Sequence, residues 1–415
     1  SNNTAIGLEA LHLNTTGASN VAVGSSSLDA NTTGSENVAI GLNALGASDT
    51  GSRNVAVGRA ALGAHNPDGA QDGYNVAMGY DALTTSTTAA RNTAVGGLAM
   101  RVSTTGAENT AIGYSAMVAN TTGNRNAALG DTALDANTTG SDNTALGNGA
   151  LGANTTASNN TAVGAGALLD NTTGAQNTAV GRSALANLTT AVSNVAVGQA
   201  AGVNCTTGTE NVFVGNNVAA ALTTASQCII IGDNAAAGSA ITGSNLVVIG
   251  DNSGYNLTGG VANTTIVGPQ AGGNMTSAAN CLILGNNAGI TGSPGGNITT
   301  ADNNICLGDE NIQNCHIQVD WTVASDKRDK TDVEPVKMGL DFVKELEPVT
   351  YRWDKRSKYV DLSDDTVDLD KIVHDGTHKE DWSDIGFLAQ DVEVLEEKYG
   401  HKMADKTNLT TNLTE

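Results

Sequence analysis

The chain has 415 residues, 50 of them glycine and 3 % aromatic, with a formal net charge of −22. No lysine precedes Lys327, so a phosphate-binding surface of clustered Lys and Arg is excluded, and a nucleic-acid partner with it. No apolar run is long enough to cross a bilayer, so no membrane insertion is expected.

From the first line onward the chain repeats one phrase, Asn37-Val38-Ala39-Ile40-Gly41 in its cleanest form. Its closing glycine falls at Gly7, Gly24, Gly41 and Gly58, and after a four-residue insertion at Gly79, Gly96, Gly113 and onward to Gly232, always 17 residues apart. The last steps, to Gly250, Gly268, Gly285 and Gly308, are looser. A period this short and regular predicts a parallel β-roll or β-solenoid with one strand per coil, each coil burying its apolar face only against its neighbours. The β-branched alternation of the phrase reads as a short strand, the following Ala-Leu as a second extended piece, and Asn-Thr-Thr-Gly as a polar turn. Coils stacked at the strand spacing of about 4.8 Å would form a rod on the order of 80–90 Å long.

Period-2 alternation then assigns faces. The residue before each marker glycine is aliphatic throughout (Ile6, Val23, Ile40, Val57), so it is expected to point into the coil, and its neighbour outward. That neighbour is alanine in twelve successive repeats, so Ala39, Ala56, Ala111 and Ala179 are expected to form a thin outward stripe where other chains approach. Asparagine opens the phrase in thirteen consecutive repeats, and Asn37, Asn54, Asn109 and Asn177 are expected to form a structural ladder of stacked amides.

Near residue 200 the alanine gives way to Phe213, Ile230 and Val248, while the leucine of Ala-Leu shrinks to Gly202, Ala219 and Ala236. Residues 1–203 are therefore read as a regular shaft and 204–320 as a variant solenoid with a remodelled cross-section. Cys228 and Cys281 occupy strand positions and read as small buried residues; the odd count of 5 cysteines argues against a disulfide framework.

The phrase followed by a small-residue segment resembles the head repeats of trimeric autotransporter adhesins, which implies a left-handed parallel β-roll in which three chains associate.

From Trp321 the composition turns globular. Pro335, Val336, Leu340, Val343 and Leu346 have helical spacing, Val349 to Trp353 reads as a strand, 355–381 as an acidic loop, and Leu388, Val392, Leu395 and Tyr399 as one face of a second helix. Residues 321–415 are thus expected to form a small α+β domain. Ser325-Asp326-Lys327-Arg328-Asp329-Lys330, Gly339-Leu340-Asp341-Phe342, Pro348 to Trp353, and Gly386-Phe387-Leu388-Ala389-Gln390-Asp391-Val392 occur in an order that resembles the endosialidase-type intramolecular chaperone domain. The resemblance implies a C-terminal domain of phage tail fibres and spikes that assists trimer assembly and often cuts itself off. It implies Ser325 as nucleophile and Lys330 as its activating base, with the Ala324–Ser325 bond cleaved; a desolvated lysine can take a serine proton. The competing reading, a charged surface turn that never cuts, stays open.

His374 and His378 beside Asp375 and Glu380 are read as chance neighbours in an acidic loop, and neither a metal nor a cofactor is expected. The array shows neither a carboxylate pair nor a sugar-stacking platform, so no activity on an external substrate is expected. The resulting expectation is a homotrimeric structural fibre of a phage or virus, located on the virion or outside the cell. Its partners would be a host cell-surface receptor, glycan or protein, and other virion tail proteins. A bacterial surface adhesin and an ice-binding solenoid with threonine ladders are the alternatives.

Overall fold

The computed structural model describes residues 2–67, 71–312, 339–354, 356–359 and 371–399. It divides into two compact units: Ser1–Leu284 with Thr299–Ile305, and Gly285–Ile298 with Cys306–Glu415. Among the described residues of the array, eighteen three-residue strands form one sheet, from β1 (Thr4–Ile6), β2 (Val21–Val23), β3 (Val38–Ile40) and β4 (Val55–Val57) to β18 (Ile305–Leu307). Neighbours pair in parallel and in strict repeat register, Val38 opposite Val55, Ala39 opposite Ala56 and Ile40 opposite Val57. The architecture is a single-strand-per-coil β-solenoid, as the 17-residue period predicts.

The marker glycine ends each strand for two physical reasons. Gly41 has φ +132°, a backbone region that side chains avoid, and a Cβ built there would lie 2.5 Å from the carbonyl oxygen of Gly58 in the next coil. Beyond it the chain does not form the expected second extended piece. Residues 41–47 are a run of turns in which Asn43 (φ 56°) and Leu45 (φ 50°) both adopt the left-handed conformation.

The two faces of the strand are opposite to the sequence expectation. Ala39, Ala56, Ala111 and Ala179 are 0 % exposed, pointing into the coil, so they cannot form a chain–chain stripe. The aliphatic residue beside them points outward: Ile40 is 40 % and Leu129 46 % exposed. Alternation establishes that neighbours face opposite sides but not which side is inner. The turn segment decides it, because Ala44 and Leu45 also enter the coil and are fully buried. With a leucine arriving from the opposite wall, the narrow interior has room on the strand only for alanine.

The same packing explains the change past residue 200. Strand pairing continues unbroken from β12 (Val195–Val197) to β13 (Val212–Val214), with Ala196 opposite Phe213. A Cβ on Gly202 would lie 2.5 Å from the ring of Phe213, which is itself fully buried. The ring takes the volume that Leu185 fills one coil earlier. Gly202 (φ 59°) also sits comfortably at the left-handed position that Leu185 (φ 49°) must tolerate. Cys205, Cys228, Cys281 and Cys306 are buried and free.

In the C-terminal unit, α1 (Leu340–Glu345), β19 (Val349–Tyr351), β20 (Asp384–Gly386) and α2 (Ala389–Lys398) are described. The helices lie within the predicted spans, and the strand ends at Tyr351. The antiparallel partner β20, unforeseen in sequence, pairs Val349 with Gly386 and Tyr351 with Asp384. A 3-10 turn, Arg356–Tyr359, interrupts the predicted loop.

Candidate functional site

Each ladder asparagine serves two coils. The Asn37 main-chain N–H donates to Asn20 Oδ1 at 2.9 Å, while Asn37 Nδ2 donates to the Gly51 carbonyl at 2.8 Å. Asn54, Asn109 and Asn177 repeat the first bond, their N–H groups donating to Asn37, Asn92 and Asn160 at 2.9, 2.9 and 3.0 Å. The dominant link is thus backbone N–H to side-chain oxygen rather than amide to amide. It satisfies the strand-entry N–H that β pairing leaves free. All four side chains are fully buried.

The polar turn supplies a second column. The asparagine of Asn-Thr-Thr-Gly also points inward: Asn137 Nδ2 donates to Asn120 Oδ1 at 2.8 Å and Asn154 Nδ2 to Asn137 Oδ1 at 2.9 Å. The threonine that follows is fastened too, Thr121 Oγ1 donating to the Thr138 carbonyl at 2.9 Å. Burial of a turn asparagine has no periodic signature of its own, because turn and core asparagines are identical in sequence.

On the surface, Tyr80 and Tyr114 occupy the same position of their coils, just after the marker glycine, with Gly97 between them. Both are largely exposed. The Tyr114 ring leans over Gly97, 3.5 Å from where a Cβ would stand, and the Arg59 guanidinium lies 5.0 Å from the Tyr80 ring centroid. Arg59 Nη1 also donates to the Tyr80 hydroxyl at 2.6 Å and pairs with Asp81 at 3.3 Å. Tyr80 and Tyr114 are thus two exposed aromatic rings on one surface column, with Arg59 and Asp81 beside the first. Only the 17-residue stacking puts residues 34 positions apart on one column.

Ser325, Lys330 and Ala324 lie outside the described residues. The His378 ring packs edge-on against Tyr359, 4.7 Å between centroids, and the Tyr359 hydroxyl donates to Asp354 at 2.8 Å. Among the described residues no group of three or more His, Cys, Asp or Glu is arranged to hold a metal ion, and no helix is long and apolar enough to cross a membrane.

Helices α1 and α2 meet at Glu345. This carboxylate pairs with Lys398 and accepts from the Tyr399 hydroxyl at 2.6 Å, while the Phe342 and Tyr399 rings meet edge-on at 5.8 Å. Hydrogen bonding to Lys398 and Tyr399 holds the Glu345 carboxyl below its ordinary range, and the hydrogen bond to Glu345 pushes the Tyr399 phenol up to about 12. Motif residue Gly386 admits the Tyr351 ring, which lies 3.3 Å from where its Cβ would be. Large apolar side chains remain exposed here, among them Leu340, Val343, Ile385 and Val394. No curated protein and no solved structure gave a match to the chain. Residues 325–400 match the family model described as the chaperone of endosialidase, which supports a chaperone domain in this part of the chain.

Proposed function

We propose that the chain is the subunit of a homotrimeric tail fibre of a phage or other virus that attaches to the host surface, with residues 321–415 assisting assembly of the trimer. The observation that favours association is the outward aliphatic column of the solenoid strands. Ile40, Met78, Ile112, Leu129, Leu146 and Val197 recur there at one fixed position of their coils, each more than a third exposed. Isolated chains seldom leave so long an apolar stripe in water, and a second copy carrying the same stripe is its natural cover. The exposed apolar residues of the C-terminal unit and the family match at 325–400 support the same reading.

In this reading residues 1–203 and 204–320 are two segments of the fibre, and Tyr80 and Tyr114 are the surface for a receptor of glycan character. Sugar rings stack on exposed aromatic faces while neighbouring polar groups take their hydroxyls. Ser325 and Lys330 are the proposed nucleophile and base of self-cleavage. The test of assembly is the native mass of the intact chain. A species of three times 41.7 kDa is expected, and a monomer at micromolar concentration overturns the proposal.

A further inference from the structure

Inside the solenoid, the column of the second turn asparagine changes character along its length. It holds Asn14 and Asn31, then Ser48, His65, Ser86 and Ser103, then Asn120, Asn137, Asn154 and Asn171, and afterwards turns apolar with Leu188, Cys205, Leu222 and Ile241. From Asn31 to Ile241 these side chains are at most 1 % exposed. In the asparagine stretches the carboxamides reach a neighbouring coil, as Asn154 does to Asn137 at 2.9 Å, while Asn171 Oδ1, at the edge of the apolar stretch, has no partner in the protein. In the apolar stretch bulky side chains fill the same space.

The interval 48–103 has neither solution. Six of its polar atoms, counting the entering Asn31 Oδ1, have no hydrogen-bond partner in the protein: Asn31 Oδ1, Ser48 Oγ, both ring nitrogens of His65, Ser86 Oγ and Ser103 Oγ. They fall on five consecutive coils. A fully buried polar atom without a partner is destabilising, and five residues carrying one on successive coils of a single column call for a partner the protein itself does not supply. A serine is shorter than asparagine by roughly the volume of one water molecule.

We infer that the interval between Asn31 and Asn120 binds a file of internal water molecules, about one per serine coil. Each water has the partners it needs. In the asparagine coils Nδ2 also donates to the turn carbonyl three residues on, as Asn120 does to Gly123 at 3.1 Å. In the serine coils the equivalent carbonyls of Gly51, Ala89 and Gly106 receive the other ladder's amide, from Asn37, Asn75 and Asn92 at 2.8, 2.9 and 2.8 Å, and keep a second lone pair. A water bonded to the serine hydroxyl, to that carbonyl and to the polar group one coil away makes three hydrogen bonds, the usual number for buried water. Neutral His65, a donor at one nitrogen and an acceptor at the other, joins the waters on its two sides. Coil spacing of about 4.8 Å suits a single water bridging two hydroxyls.

Two measurements on the full chain test this. A crystal structure that resolves ordered solvent is expected to show discrete water bonded to Ser48, His65, Ser86 and Ser103; an interval without solvent overturns the inference. The double variant Ser86→Ala/Ser103→Ala gives an independent sign. Removing a hydroxyl bonded to water lowers the melting midpoint, by about 1–3 °C, whereas removing an unpartnered one raises it. A rise or no change refutes the water file.

Discussion

The main-chain N–H of Asn126 donates to the side-chain oxygen of Asn109 at 2.9 Å, across the step from one coil to the next. Asn109→Ala leaves that buried N–H without a partner, at a cost of about 1–3 kcal/mol. Hydrogen exchange is the measurement: the Asn126 amide is expected to lose protection while amides several coils away keep theirs, because each coil contacts only its neighbours.

Gly41→Ala is expected to be more damaging than any loss of a surface side chain. It forces a side chain into a backbone region reserved for glycine and against the Gly58 carbonyl, at more than about 2 kcal/mol. Thermal unfolding checks it, and a midpoint equal to that of the unaltered chain would refute the close-stacking account.

Neighbouring strand residues should respond in opposite ways. Ala111 is fully buried, so Ala111→Leu overpacks the coil and destabilises it by about 1–3 kcal/mol. Ile112 is 38 % exposed, so Ile112→Lys leaves the coil folded but places charge in the proposed subunit contact. Circular dichroism with light scattering separates the two: the first variant loses thermal stability, the second trimer mass.

Burial pushes the His65 imidazole down to about 4 from its ordinary 6.5, and its column neighbours Ser48 and Ser86 carry no charge to offset this. The unfolded chain therefore takes up a proton as pH falls below about 6.5 while the folded chain does not until about 4. Stability present at neutral pH should decline across that window, by on the order of 3 kcal/mol at most, and level off below it. Comparing melting midpoints at pH 7 and pH 4.5 checks this. His65→Asn is expected to lessen the decline, and an unchanged decline would assign it to other groups.

Self-cleavage is expected to stop in Ser325→Ala and in Lys330→Ala. Denaturing gels of the intact chain beside both variants decide it: a cleavage product lost in both supports the assigned roles, and identical full-length bands in all three remove them.

The repeat period and the strand, glycine and turn positions were legible in the amino-acid order, because in a solenoid the neighbours that matter sit at one constant sequence separation. The ladder of Asn37 and Asn54 was legible for the same reason. Four ordered motifs likewise marked the C-terminal chaperone-like segment. Which strand face is inner was not legible: Ala39 and Ile40 alternate in either case, and the choice depends on the volume Leu45 brings from the opposite wall. Tyr80 and Tyr114 look isolated along the chain and share a surface only once their coils stack. Ser48, His65 and Ser86 read as ordinary turn residues until the closed coil removes them from solvent. Sequence determined the period and the local chemistry; tertiary structure alone decided inside from outside, because enclosure depends on the combined volume of segments far apart along the chain.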